Sequence, residues 1–278
     1  MNLSMTGTLA ADYRSGAQRA RVVTESWGES NLYCPNCSSP KLTWLEPGHP
    51  ASDFSCPECR FWFQLKSQRA RIGDSITDGA YRAMMNAIRH DETPNFYFMQ
   101  YELATWRVKN LLLVPSFAFP PSAIIKRKPL SSTARRAGWV GCNIALNRVP
   151  ADARIAVITE SAVLPASEVR EQFKRVKPLK DLSVTQRGWT LDVLNIVRRL
   201  CDRSSGRESA HSIPSSLSRL TSAATGIFTT ADAYAFTREL EKLHPDNRHV
   251  KDKIRQQLQV LRDLGLLLHV ERGVWRLP

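Results

Sequence analysis

From Leu103 to Ala151 the chain contains no aspartate and no glutamate. It also lacks any apolar run that resembles a membrane span, which argues against an integral membrane protein. Met1 to Gly16 shows no basic stretch followed by an apolar one, so no secretory signal is read and the expected compartment is the cytoplasm. Cysteine is sparse, 6 in 278 residues. Four of these form two C-x-x-C pairs, and without a secretory signal such pairs favour a metal over disulfides. Cys142 and Cys201 are left over and read as buried or incidental.

The acid-free stretch is instead basic, with Arg107, Lys109, Lys126, Arg127, Lys128, Arg135, Arg136 and Arg148. Net charge is +13 and the sequence pI is near 9.8, which points to a polyanionic partner. A charge run is commonly a solvated face. One this long, in a chain where Asp53, Gln64 and Lys66 have the spacing of a metal-dependent nuclease core, reads as DNA contact. No basic amphipathic helix stands out to favour a membrane surface. At 278 residues the chain can hold two domains, each with its own core.

The pairs Cys34/Cys37 and Cys56/Cys59 are separated by eighteen residues, the pattern of a tetrathiolate zinc site closed by two knuckles. Asp53, Gln64 and Lys66 overlap that pattern with the spacing of a metal-dependent nuclease core. In such a core Asp53, Gln64 and the backbone carbonyl of Leu65 would hold Mg²⁺, and Lys66 would lie beside the scissile phosphate. Phe54 and the run Phe61 to Lys66 read as two strands with Cys56-Pro57-Glu58-Cys59 at the turn. Strand alternation puts Gln64 and Lys66 on one face, and hairpin pairing brings Asp53 to it. The same residues could equally be solvated polar groups of a zinc ribbon.

Residues 12 to 27 read as a helix whose buried face is Ala17, Ala20, Val23 and Trp27. Glu25 on it could add a carboxylate to the metal centre, but is read as a surface glutamate. Thr77 to Arg89 reads as a second helix. The runs 96–99, 111–114 and 155–158 suit buried strands, so the first domain, 1–180, is expected to be α/β.

The second domain, 181–278, is expected to be a small winged helix-turn-helix. Its elements are a helix around Trp189 to Leu200, a flexible insertion over 201–226, a helix from Thr229 to Leu243, a third from Asn247 to Leu264, and a hairpin over 266–277. Val250, Ile254, Leu258 and Leu261 give the third helix an apolar face. Arg248, Asp252, Arg255, Gln256 and Gln259 fall away from it, and arginine and glutamine can grip guanine and adenine in the major groove. An ordinary solvated face, or a protein-docking winged helix, remains the alternative.

Taken together these segments resemble the DpnI-like methyl-directed restriction endonucleases over nearly the whole chain. The resemblance is carried by Thr24-Glu25-Ser26-Trp27, Tyr33-Cys34-Pro35-Asn36-Cys37, Asp53-Phe54, Leu65-Lys66-Ser67 and Asp78-Gly79-Ala80-Tyr81. It continues through Arg127-Lys128-Pro129-Leu130, Thr133 to Trp139, Gly141-Cys142-Asn143-Ile144, Arg187-Gly188-Trp189-Thr190 and Lys253 to Gln259.

The resemblance implies a PD-(D/E)xK nuclease core with an inserted four-cysteine zinc site, then a winged helix, both reading DNA. It also implies a double-stranded substrate of GATC carrying N6-methyladenine, with unmethylated sites spared. Mg²⁺ would be catalytic, Zn²⁺ structural, and the protein a monomer. Two departures stand out. Gln64 replaces the acidic residue two positions before the lysine, keeping a carbonyl oxygen for a hard cation but no charge. The 201–226 segment looks longer than the family's connection.

A reader of N6-methyladenine should offer a flat or aliphatic surface, because methylation adds an apolar group and removes one donor. Trp139, in its basic glycine-flanked loop, is either that surface or a buried core residue. Two competing readings are a non-cleaving zinc-stabilised winged-helix regulator and a nuclease for other modified DNA.

Overall fold

The computed structural model describes residues 1–46, 52–208 and 226–278. The first helix, α1 (Gly16–Asn31), precedes the short strands β1 (Thr43–Trp44) and β2 (Phe54–Ser55) and the longer β3 (Trp62–Gln68). Then come β4 (Ser75–Ala80), α2 (Tyr81–Arg89), β5 (Asn95–Glu102), β6 (Arg107–Val114), β7 (Ile124–Lys126) and β8 (Gly141–Ala145). The first part closes with β9 (Ile155–Thr159), β10 (Ala162–Val163) and α3 (Ala166–Val176). The second part holds α4 (Val184–Glu208), β11 (Ile227–Thr229), α5 (Thr230–Tyr234) and α6 (Thr237–Leu243). It ends with α7 (Val250–Asp263), β12 (Leu268–Glu271) and β13 (Val274–Arg276).

The expected α/β architecture is present. A seven-stranded sheet has the order β1-β2-β3-β5-β6-β9-β10, with β3 and β5 parallel and the other pairs antiparallel. The crossover from β3 to β5 carries β4 and α2, and β4 joins a separate sheet of order β4-β8-β7. Both faces of β5 are buried, which accounts for its continuous apolar run. Phe96 and Phe98 pack with Ile76, Ile144 and Met84 on the side of the small sheet. Tyr97 and Met99 pack with Phe63, Leu65 and Trp27 on the side of α1.

Three element boundaries differ from the sequence reading. The helix expected over Thr77 to Arg89 begins only at Tyr81, because Ile76, Thr77 and Asp78 pair with Ile144, Asn143 and Cys142 as a strand. β-branched Ile and Thr followed by Asp-Gly favour that outcome over a helix. The helix expected over 12–27 sits four residues later, since a short 3₁₀ turn at Gly7–Ala10 and extended Ser15 precede it. The helix expected from Thr229 to Leu243 is two, because i→i+3 bonds from Ala235 and Phe236 tighten and end α5. Thr229 does cap it, in a reciprocal box with Asp232.

The C-terminal part is a winged helix-turn-helix with one more strand than expected: β11 pairs with β13, which pairs with β12. Residues 201–208 continue α4, so the insertion read from Cys201 does not begin there, and the rest of it, 209–225, lies outside the described residues. Arg248 lies before α7, whose flanking residue is His249, and not on the helix. Among the described residues no helix is long and apolar enough to cross a membrane.

Candidate active site and metal centre

β3 is flanked by β5 along its length, but by β2 only at Trp62 and Phe63. From Gln64 onward its outer edge is therefore open, and a cavity of about 530 Å³ lies there. Asp53, immediately before β2, faces this edge: the Leu65 backbone N–H donates to its Oδ2 at 2.8 Å. A residue's N–H and C=O leave an extended strand on the same side, so the Leu65 carbonyl is directed to the same edge. The hairpin thus brings Asp53, Gln64, Leu65 and Lys66 to one cavity, as the spacing predicted.

The other wall is α1, which contributes Ala17, Ala20, Arg21, Thr24 and Glu25. The helix can approach closely because Gly28 packs on Phe54: a Cβ there would lie 2.7 Å from the Phe54 ring. Thr24 Oγ1 also donates to Ser67 Oγ at 3.1 Å. This packing corrects the reading of Glu25 as a surface residue. Its side chain is 15% exposed, lines the cavity and pairs with Arg21 at 2.7 Å. Helical periodicity turns Glu25 away from the face of Ala20, Val23 and Trp27, and only tertiary packing shows that β3 and the cavity lie opposite it.

Burial pushes the Asp53 carboxyl above its ordinary range, against the opposing pull of the Leu65 N–H and of Lys66. Burial likewise raises Glu25, with Arg21 opposing and the negative charge of Asp53 adding to the rise. Ser52 Oγ, on the same wall, is buried with no hydrogen-bond partner among the described residues. Two desolvated carboxyl groups, an amide oxygen, a strand carbonyl and an orphaned hydroxyl form a donor set of hard oxygens, which suits Mg²⁺. Lys66 is the cation beside them, and its Nζ contacts Asp78 Oδ1 at 2.6 Å. That partner was not anticipated from spacing, since Asp78 belongs to another sheet.

Cys34, Cys37, Cys56 and Cys59 come together as expected, with their sulfurs all within 4.8 Å of one another. Cys34 and Cys59 Sγ are 3.5 Å apart, Cys37 and Cys56 3.4 Å. A zinc–sulfur bond of about 2.3 Å implies sulfurs about 3.8 Å apart in a tetrahedron, so the cluster fits zinc. Burial pushes Cys34 up strongly and Cys37 to about 11. Burial opposes Cys56 too, but the N–H groups of Cys59 and Glu58 outweigh it and bring the thiol to about 7.

The basic stretch is exposed. Lys126 ends β7 with its Nζ 5.7 Å from the centre of the Tyr81 ring, while Arg127, Lys128, Arg135 and Arg136 project from the loop between β7 and β8. Trp139 is half-buried and not a core residue: the Arg136 guanidinium sits 4.8 Å from its ring centre. On α7, Arg255, Gln256 and Gln259 are exposed, with Arg255 Nε donating to Tyr234 Oη at 3.0 Å and Lys253 Nζ to Gln256 Oε1 at 2.8 Å. Gln257 differs: it is buried, and accepts from Thr190 Oγ1 at 2.7 Å.

An oxygen-lined cavity at an open strand edge with an adjoining lysine, a tetrathiolate cluster, and a winged helix-turn-helix define a DNA-acting nuclease of two parts. The chain belongs to the Dam-replacing family, DpnI, whose model matches residues 1–182. The model of the Dam-replacing HTH domain matches residues 216–277. The family is one of restriction endonucleases directed to methylated DNA.

Proposed function

We propose that this protein is a Mg²⁺-dependent type II restriction endonuclease that cleaves double-stranded DNA at GATC carrying N6-methyladenine and spares unmethylated GATC. The observation that carries the reading is the oxygen-lined cavity at the open edge of β3, in a basic chain of this family. Residues 1–180 would form the nuclease domain and 181–278 the reading domain.

Asp53, Gln64, the Leu65 carbonyl and Glu25 would hold the cation. Bound there, Mg²⁺ would polarise the phosphate and lower the pKa of a coordinated water. The chain's own groups do the positioning. Asp53 is fixed by the Leu65 N–H before any ion arrives, so little reorganisation is left for the reacting complex. Lys66 would neutralise charge gathering on the phosphate oxygens in the transition state, or orient the attacking water. Gln64 offers an oxygen without charge, and Glu25 supplies the second carboxylate in its place. The four thiolates would hold a structural Zn²⁺, leaving no open position for chemistry. Exposed lysines and arginines of the β7–β8 loop would hold phosphates, and Trp139 would offer the methylated adenine a flat apolar face.

Digestion of matched plasmids, with and without adenine methylation, in Mg²⁺ tests the reading. Cutting confined to methylated plasmid is the expected result. Binding without cutting would instead favour a non-cleaving regulator that binds through the winged helix, with Asp53 and Lys66 vestigial. Cutting independent of adenine methylation would move the protein to other modified DNA.

A further inference from the structure

The Lys66 ammonium makes its ion pair away from the metal-facing carboxylates. Asp78 reaches it from β4, on a different sheet, at 2.6 Å, and its side chain is only 7% exposed. Its other carboxylate oxygen lies 3.9 Å from Cys142 Sγ, while Lys66 Nζ lies 6.0 Å from the centre of the Phe96 ring. Asp78 is absent from the walls of the catalytic cavity, so it touches the lysine from behind.

Its backbone is firmly placed. Asp78 pairs with Cys142 in the β4–β8 ladder, at a bulge before Ala80. β8 begins at Gly141, whose missing side chain leaves room for the Trp139 ring; a Cβ there would lie 2.8 Å from that ring. The Tyr81 N–H donates to the Val140 carbonyl at 3.1 Å and the Arg127 N–H to the Gly141 carbonyl at 3.0 Å. Asp78 therefore stands on the sheet that also anchors the basic loop.

We propose that Asp78 is the positioning residue for Lys66: it holds the ammonium at the cavity edge and registers it to the sheet that carries the basic loop. The proposal rests on the reading of Lys66 as the lysine of the cleavage centre. A lysine side chain has four rotatable bonds, so an unanchored one samples many positions. A misplacement near 1 Å can cost roughly a hundredfold in rate. Asp78 touches neither phosphate nor cation, and its effect runs through Lys66.

The test compares Asp78→Asn, Asp78→Glu and Lys66→Ala with the parent on a methylated GATC duplex. Single-turnover cleavage in Mg²⁺ and duplex affinity in Ca²⁺ are both measured, alongside thermal unfolding. Asp78→Asn is expected to cut roughly a hundredfold more slowly, with affinity within about twofold of the parent. Asp78→Glu, which keeps the charge but carries it one methylene further out, should cut faster than Asp78→Asn yet still more slowly than the parent. Combined with Lys66→Ala, Asp78→Asn should add no further loss.

If Lys66→Ala is inactive but Asp78→Asn cuts at the parent rate, the positioning role is overturned. The same holds if the two substitutions lower the rate additively, or if rate, affinity and stability fall together. If Lys66→Ala itself cuts normally, the reading of the cleavage centre fails instead. Should Asp78→Asn not fold, Asp78→Glu carries the test: a slower rate at parent stability and affinity supports the proposal, and an unchanged rate ends it.

Discussion

Asp192 on α4 and His244, just after α6, meet with 2.9 Å between Oδ2 and Nε2, and the other oxygen of Asp192 accepts from Ser122 Oγ at 2.5 Å. One buried carboxyl group thus joins the winged part to a 3₁₀ turn of the nuclease part. The His244 ring also stacks on Trp189 at 3.7 Å. Arg198 with Asp152, and Arg187 with Asp91, add further links from α4 to the first part. α4 is therefore a shared wall between the two parts.

Asp192→Ala should accordingly loosen that wall. It removes two buried hydrogen bonds, each contributing about 1 kcal/mol or more, and leaves Ser122 and His244 unpaired. At about 2–4 °C per kcal/mol for a chain this size, a fall of several degrees in the unfolding midpoint is expected. Calorimetry would check it, together with a broadened or split transition as the parts uncouple. An unchanged midpoint would mean that the contact contributes nothing to docking.

The zinc prediction follows from four sulfurs arranged at tetrahedral spacing. Purified protein should carry one zinc per chain by elemental analysis. Cys56→Ser should lose the metal and unfold at lower temperature, because binding energy at such a site is folding energy. The knuckle lies at the turn between β2 and β3, two strands that bring Asp53 opposite Leu65, so chelation should also impair cleavage indirectly. A zinc-free protein, or a Cys56→Ser variant with parent stability and activity, would remove the metal from the account.

How much of this was legible beforehand divides along sequence separation. The four-cysteine cluster and the hairpin with Asp53, Gln64 and Lys66 are local: alternation and C-x-x-C spacing place them without tertiary information. The winged helix was readable in the same way, from the periodicity of Val250, Ile254, Leu258 and Leu261. Asp78 and Glu25 were not. Asp78 pairs with Cys142, 64 residues later in the chain, and its segment reads as the start of a helix until that pairing is known. Glu25 faces a cavity whose other wall comes from β3, and the residue alone cannot announce it. Gln257 hides its role similarly. It stands between the exposed Gln256 and Gln259, and only its bond to Thr190 of another helix sets it apart.

Glu25 yields a two-sided prediction. Burial raises both Glu25 and Asp53 in the folded protein, and the charge of Asp53 raises Glu25 further. A carboxyl group whose folded pKa is raised favours folding at low pH, and that contribution is lost as pH rises through the raised value. Near neutral pH, without metal, the pair therefore opposes folding. Glu25→Gln should raise the metal-free unfolding midpoint slightly while weakening Mn²⁺ or Mg²⁺ binding by calorimetry. Gln64→Glu in that background should restore much of the affinity, because it returns the missing charge. Metal affinity unaffected by Glu25→Gln would leave Asp53 as the sole carboxylate of the centre, and Asp53→Ala should in either case abolish cleavage.

The specificity prediction separates the two basic surfaces. Arg255 is exposed on α7 and its guanidinium is aimed by Tyr234 Oη and, at 3.8 Å, by Asp252. A residue so oriented on the expected reading helix should contact a base edge, together with Gln256 and Gln259 and, from the loop before the helix, Arg248. Arg127, on the β7–β8 loop with Lys126 and Lys128, should contact phosphates. Losing a base contact should cost roughly 1–3 kcal/mol of discrimination. Losing a phosphate contact should weaken all sequences alike and reduce the salt slope by about one. Binding of Arg255→Ala and Arg127→Ala to methylated GATC, unmethylated GATC and a scrambled duplex, across salt, distinguishes these. Equal weakening of all three duplexes by Arg255→Ala would show that α7 grips the backbone and does not read. Selective weakening of the methylated duplex by Arg127→Ala would move sequence reading to the loop beside Trp139.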